Sequence, residues 1–268
     1  KLSVCIDSGI YHCWVCESKG GNIGKVALKF CKSDIESSKK LIRCFGKTNA
    51  SKVEDLIKST ISLPEDFTLL SSLKGRQKKS YRAHLSYLSN RGFTEKDLHR
   101  FRPGVSEKYE FKNYVIFPSN AENGELNYYV SRTVDPNNNR RYKNCNVGRK
   151  EVIFREFDVD FSRELILVEG VFDLINCPEN ATCILGSWID ENYEIFKKIV
   201  KFKTPVVLCF DPDASKKSLQ VAKKLSEYCV PVRVSYHKDK DFGDMTKKEV
   251  QICINESKQF DFAQSVGY

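Results

Sequence analysis

The feature that most constrains this chain is a pair of short apolar runs that each end abruptly in carboxylates. Leu165–Val168 runs into Glu169-Gly170-Val171-Phe172-Asp173, and Val206–Phe210 runs into Asp211-Pro212-Asp213. A continuous apolar run of this length, bounded by polar residues, suits a strand buried on both faces, as in a parallel sheet. Both runs belong to a longer rhythm. Strands predicted at 165–168, 182–185, 206–210 and 232–236 alternate with helices from residue 171 and over 191–202, 215–228 and 244–257. This βαβα pattern is that of an α/β fold, a parallel sheet flanked by helices. Within 215–228, Val221, Ala222, Leu225 and Tyr228 share one helical face, as packing on a sheet requires.

Glu169 then sits just past one strand end, and Asp211 and Asp213 just past another. In open α/β sheets the carboxyl ends of strands are where ligands bind. Acids gathered there repel each other, which favours a hard divalent cation among them, and magnesium takes a few carboxylate oxygens plus water and phosphate. Any one of these acids alone is explained as well by capping the helix that follows it. Their recurrence at successive strand ends favours metal, whereas Asp173 reads as a brace for the Glu169 loop.

The N-terminal stretch reads as a unit of its own. Leu2-Ser3-Val4-Cys5-Ile6-Asp7 alternates, Asp7-Ser8-Gly9 turns, and Ile10 to Val15 resumes the strand pattern, a hairpin. It closes on Cys13-x-x-Cys16, which is half of a zinc ribbon. No second Cys/His pair follows at suitable spacing, and two cysteines in a turn is the alternative. The chain begins at Lys1 rather than Met, and the natural place for the missing pair is upstream of it. Residues 31–80 are rich in Ser and Lys, with a short helical patch at Val53 to Ser59, and read as a linker. Their last part carries Lys74, Arg76, Lys78, Lys79 and Arg82, which suit a nucleic-acid backbone and a solvated linker equally. A helical pair follows over 81–103, the second helix capped by Thr94. Strands at Tyr114 to Pro118 and Leu126 to Val134 flank a hairpin turn at Glu122-Asn123-Gly124.

At 268 residues the chain holds one large or two small domains, and 41% apolar content excludes global disorder. Its formal charge of +9 suits polyanion partners. No apolar run is long enough to span a bilayer, and no signal peptide is visible. Eleven scattered cysteines, an odd number, argue against a disulfide framework and for the cytoplasm; Cys183, Cys209 and Cys229 read as core positions. Gly20-Gly21-Asn22-Ile23-Gly24-Lys25 and Gly46-Lys47-Thr48 lack the spacing of a phosphate loop, which excludes a P-loop ATPase or helicase.

Taken together, these residues resemble the Toprim domain, and their arrangement resembles a bacterial-type (DnaG-like) DNA primase of phage origin. Glu169 to Asp173 is similar to that family's E-G-Y-M-D element, Leu185-Gly186-Ser187 to the turn after its next strand, and Asp211-Pro212-Asp213 to its D-x-D. Lys240-Asp241-Phe242-Gly243-Asp244-Met245 resembles its third acidic element. Upstream, Tyr11 to Cys16 resembles the second half of the primase zinc ribbon, and Tyr87-Leu88-x-x-Arg91-Gly92 the opening of the polymerase domain. Phe117-Pro118, Gly124 and Ser131-Arg132-Thr133-Val134 resemble its "F-P…G…G-R" strands, and Arg141-Tyr142-Lys143-Asn144 its "K-Y-x-N" element. Arg141 stands where the family usually has Lys, which changes phosphate geometry. The third acidic element is spaced D-x-x-D, so the choice between Asp241 and Asp244 as ligand stays open.

The resemblance implies a domain order of partial zinc ribbon (1–30), connection (31–80), N-terminal mixed α+β subdomain (81–162) and Toprim domain (163–268). It implies template-directed synthesis of short RNA primers on single-stranded DNA from ribonucleoside triphosphates. Two Mg2+ or Mn2+ ions would be held by Asp211, Asp213 and Asp241 or Asp244, with Glu169 as ligand or base. Zn2+ would sit in the complete ribbon, of which Cys13 and Cys16 are half. Arg132, Arg141, Tyr142, Lys143, Asn144, Arg149 and Lys150 would bind nucleotide or template. A replicative helicase is the implied partner, and no membrane is involved. The competing readings are a Toprim nuclease and a non-catalytic DNA-binding Toprim protein of the recombination-mediator kind. The chain is too short for a topoisomerase with its gate and tyrosine domain.

Overall fold

The structure, a computed structural model, describes residues 2–4, 11–13, 19–20, 61–236 and 240–261. The chain divides into two compact units, Lys1–Ser62 and Leu63–Tyr268. In the first, β1 (Leu2–Val4), β2 (Tyr11–Cys13) and β3 (Lys19–Gly20) form an antiparallel sheet in that order. The expected hairpin is present, with Leu2 opposite Cys13 and Val4 opposite Tyr11. Cys13 ends β2, but its side chain, all of Cys16 and the expected helical patch at 53–59 lie outside the described residues.

The second unit holds two five-stranded sheets. The first is antiparallel: β4 (Thr68–Leu69), β5 (Gly104–Val105), β6 (Tyr114–Asn120), β7 (Leu126–Thr133) and β8 (Tyr142–Asn144), in sequence order. Gly124 supplies the positive φ (+84°) that the β6–β7 turn needs. Between β4 and β5 run α1 (Gly75–Ser80), α2 (Arg82–Asn90) and α3 (Glu95–Phe101). At the start of α3, Thr94 Oγ1 accepts from the Asp97 N–H (3.3 Å) and Asp97 Oδ2 from the Thr94 N–H (2.9 Å), the expected capping box.

The second sheet has the order β10-β9-β11-β12-β13: β9 (Leu165–Val168), β10 (Ala181–Cys183), β11 (Val206–Cys209), β12 (Val232–Val234) and β13 (Lys258–Gln259). The first four pair in parallel, and β13 adds an antiparallel edge. The linking helices are α4 (Val171–Ile175), α5 (Glu194–Phe202), α6 (Ser215–Glu227) and α7 (Lys247–Asn255). Along β9 and β11 successive residues serve different cores. Leu165, Leu167, Val206 and Leu208 pack with α5 and α6, while Ile166, Val168, Val207 and Cys209 pack toward the antiparallel sheet. That is why both strands read as unbroken apolar runs.

The two sheets share one core. Phe172 of α4 meets Phe117 of β6 (5.5 Å between ring centroids), Phe93 (6.3 Å) and Tyr87 of α2 (5.9 Å). The loop that carries Glu169 is thereby packed onto the other sheet.

Three expectations need correction. Residues 63–80 are not linker: Leu70 and Leu73 are buried, and β4 pairs with β5, because the antiparallel sheet draws its first strand from this stretch. Cys229 is exposed, since it takes a left-handed turn (φ +56°) just after α6, although Cys183 and Cys209 are buried. Tyr228 is half out of the α6 face and touches the core only edge-on, against Phe196.

Candidate active site

β9 and β11 are direct parallel neighbours, with Val168 beside Cys209. The residues that follow them therefore emerge side by side. Glu169, Asp211 and Asp213 each bring a carboxylate oxygen to within 4.8 Å of the others. Main-chain donors hold two of the three. Glu169 Oε1 accepts from the Asp211 N–H (3.0 Å), and Asp211 Oδ1 accepts from the Phe242 N–H (2.9 Å). Glu169 is further tied to the next strand through its carbonyl, which accepts from the Gly186 N–H (3.0 Å).

Crowding of partly buried acids shows in their protonation. Burial is the main cause that pushes Glu169 up to about 7; Asp211 and Asp213 add to it, against the Asp211 N–H and Lys217, which favour the charged form. Burial, with Asp211, Glu169 and Asp241, also pushes Asp173 up to about 7. Asp211 is raised by burial and by its acidic neighbours. Asp173 braces the Glu169 loop, as expected: its Oδ2 accepts from the Gly170 N–H (2.7 Å). Gly243 packs against it so closely that a Cβ there would lie 2.9 Å from Asp173 Oδ1.

The cluster borders a cleft of about 440 Å³, lined on one side by Glu169, Asp173 and Asp211 and on the other by the antiparallel sheet. Arg132 of β7 and Tyr142 and Asn144 of β8 are in that lining. The Arg132 guanidinium lies 4.6 Å from the Tyr142 ring centroid, and its Nε donates to the Tyr87 hydroxyl (3.1 Å). Arg91, one helical turn beyond Tyr87, lies over the Phe172 ring at 5.5 Å, and its Nη1 donates to Asp244 Oδ1 (3.1 Å).

Not every expected residue is in the cleft. Lys143 is on the opposite face of β8 from Tyr142 and Asn144, because successive side chains alternate along a strand. Its Nζ bonds Glu110 (2.7 Å) and lies over Phe111. Arg141 is exposed and pairs through its carbonyl with the Thr133 N–H. Lys150 lies over the Tyr193 ring. Arg149 donates to the Leu185 carbonyl (3.1 Å), where it supports the turn beside Glu169 rather than the cleft itself. Asp241 and Asp244 are on the cleft wall but outside the three-acid cluster, and Asp244 is paired with Arg91. Tyr87, Arg91 and Phe172 escaped the sequence reading as site residues. For Arg91 and Tyr87 the signal was present in the Tyr87-Leu88-x-x-Arg91-Gly92 motif, whose i, i+4 spacing puts both on one helix face.

The donor set suits a hard divalent cation. It is all oxygen, two of its three members are held by main-chain N–H groups, and their crowded charge is what a cation would offset.

The architecture is that of the DnaG primase RNA polymerase domain, with its Toprim sheet. The chain matches the zinc-binding and RNA polymerase domains of the Aquifex aeolicus primase with a TM-score of 0.58 at 18% identity, over 97% of this chain and 76% of that one. It matches a DnaG primase catalytic domain bound to single-stranded DNA with a TM-score of 0.57 at 14% identity, over 68% and 74% of the two chains. The RNA polymerase domain of Mycobacterium tuberculosis primase DnaG, in complex with a DNA duplex that has a 6-nucleotide overhang, gives 0.55 at 13% identity, over 71% and 77%. In sequence, an uncharacterized protein of Mycoplasma genitalium, MG010, is 26% identical over 175 residues, 60% of this chain and 76% of that protein. No protein-family model matches the chain.

Proposed function

We propose that the chain is a primase-like nucleotidyltransferase, which joins ribonucleotides on a single-stranded DNA template. The observation that carries this reading is the juxtaposition in one cleft of Glu169 and Asp211, whose oxygens cluster with that of Asp213 at its edge, with Arg91, Arg132, Tyr142 and Asn144. In the reaction a 3′-hydroxyl oxygen attacks the α-phosphorus of a nucleoside triphosphate. The new P–O bond replaces the bond to pyrophosphate, and the hydroxyl proton is released. Glu169, Asp211 and Asp213 would hold Mg2+ or Mn2+, which when bound lowers the pKa of the attacking hydroxyl and neutralises phosphate charge.

The chain's own residues do the rest. Arg132 and Arg91 present fork-shaped donors to the triphosphate from the wall opposite the acids. Tyr142, already stacked under Arg132, offers its ring to a base, and Asn144 beside it offers an amide. Phe172 fixes the distance between the two walls. Asp241 and Asp244 stand by as further acids, and binding of a triphosphate by Arg91 frees Asp244. Zinc would bind the ribbon half-site of Cys13 and Cys16, and a replicative helicase would bring the template. Cys145, Cys177, Cys183, Cys209, Cys229 and Cys253 are free thiols, which suits work in the cytoplasm; among the described residues no helix is long and apolar enough to cross a membrane.

The test is to incubate the chain with single-stranded DNA, labelled ribonucleotides and Mg2+ or Mn2+. Short oligoribonucleotides support the proposal, provided that Asp211→Asn abolishes them. Template degradation would assign a nuclease, and binding without either product a non-catalytic DNA-binding protein.

A further inference from the structure

Away from the cleft, one element has no structural reason for its composition. The chain leaves the core at Leu73, which is buried, turns at Gly75 with φ +52°, forms α1 and returns to the core at His84. Every residue of Lys74 to Ser80 is exposed. α1 buries nothing and has no side-chain cap. A helix of this length gains its stability from packing an apolar face, and this one has none to pack. What it presents is charge. Lys74, Arg76, Lys78, Lys79 and Arg82 fall within nine residues that contain no acid. Among the described residues none of the five has an ion-pair partner, whereas elsewhere in the fold Arg91, Lys108, Lys143 and Lys247 each face a carboxylate. The carboxylates at the α1–α2 junction are already engaged: Glu107 accepts from the Tyr81 hydroxyl, and Asp66 from Ser106 and the Glu107 N–H.

We infer that α1 and its flanks form a second nucleic-acid surface, outside the cleft, which holds the phosphate backbone of the single-stranded template. The inference rests on the proposed function for the identity of the strand. Unpaired cations on a helix that packs against nothing complement a polyanion, and cations of both types, exposed all round, suit phosphates rather than bases. The surface therefore binds without regard to sequence. α2 starts at this surface and ends at Arg91 in the cleft, so one short helix joins the two sites.

The test is salt-dependent binding of the full chain to a labelled oligothymidylate about twenty nucleotides long, followed by fluorescence anisotropy. The variant K74Q/R76Q/K78Q/K79Q/R82Q should bind about tenfold or more weakly at about 50 mM salt, and its log–log salt slope should be shallower by about 2 to 3.5, since each phosphate contact on a single strand contributes about 0.7. Because the five side chains bury nothing, the thermal unfolding midpoint should not move. Exchanging Arg76 and Arg82 for Lys should restore most of the affinity. Unchanged affinity and slope in the five-site variant would overturn the inference, as they would if an acidic protein were the true occupant. The readout separates this inference from the proposed reaction. Loss of binding by the variant in a chain that makes no RNA leaves the surface standing and removes the polymerase reading; normal binding by the variant in a chain that makes RNA does the reverse.

Discussion

On one wall of the cleft, Glu169 and Asp211, with Asp213 clustered beside them, follow two strands that pair directly, and backbone N–H groups hold Glu169 and Asp211 in place. On the other wall, Arg132, Tyr142 and Arg91 are long side chains fixed by stacking on one another and on Phe172. The acids owe their positions to topology: a residue just past a parallel strand emerges where its neighbour's does. The cations owe theirs to strand alternation and ring packing, so neighbours in sequence part company. Tyr142 and Lys143 are adjacent, yet one lines the cleft and the other is bonded to Glu110 behind the sheet. Main-chain placement tolerates no change at the acids, whereas stacking tolerates some at the cations.

This contrast ranks the expected effects. Asp211→Asn should lower RNA synthesis by about 10³-fold or more, with the fold intact by circular dichroism; retention of synthesis would mean that the acidic wall is not where the reaction occurs. Arg132→Ala should cost about 10–100-fold, mostly as a raised KM for nucleotide, while Lys143→Ala, on the far face of the same sheet, should change synthesis less than about twofold and stability by no more than about 1 kcal/mol. Equal losses from both would refute the division of β8 into a cleft face and a back face.

The turn that braces Glu169 gives a stability test of the same contrast. Gly186 has φ +154°, and a Cβ there would meet Arg149 Nη1 at 2.1 Å. Gly186→Ala should therefore destabilise by about 1–3 kcal/mol in urea, and pairing it with Arg149→Ala should recover the steric part but not the backbone part.

The smallest effects are in pH. Glu169 and Asp173 are protonated more readily in the folded chain than in the unfolded one. Their contribution is thus complete below their ordinary range, near pH 4, and is lost as pH rises through about 7. Without divalent cations, the melting temperature should fall by a few degrees over that window, the effect being reduced by partial exposure. Mg2+ or Mn2+ at high pH should restore it in the wild type and not in Asp211→Asn. His84, held below its ordinary value chiefly by burial, works in the opposite direction: its contribution is present above its unfolded pKa and is lost as pH falls below about 6.5. His84→Leu should flatten only that acid limb of the melting profile.

The parallel sheet was legible because strands buried on both faces leave continuous apolar runs, and because the carboxylates come at their ends. β9 and β11 are found within a residue of where the pattern puts them, as are α5 and α6 within a turn. β4, β5 and β13 were not legible. Each is two residues long, too short to carry a period, and each is defined by pairing with a distant segment: β13 with β12, β5 with β6, and β4 with β5. The same holds for residues 63–80, whose polar composition hides the two leucines that anchor them.

What the amino-acid order determined by itself is the alternation of strand and helix, the caps and turns, and the acids at the strand ends, all of which depend on neighbours a few residues apart. Which of those acids share a cluster, which cations face them and which turn away, and that Arg91 answers Asp244 across 153 positions, were decided only by the tertiary structure. Strand order, face and ring packing are set by contacts between distant segments, and no local pattern in the chain encodes them.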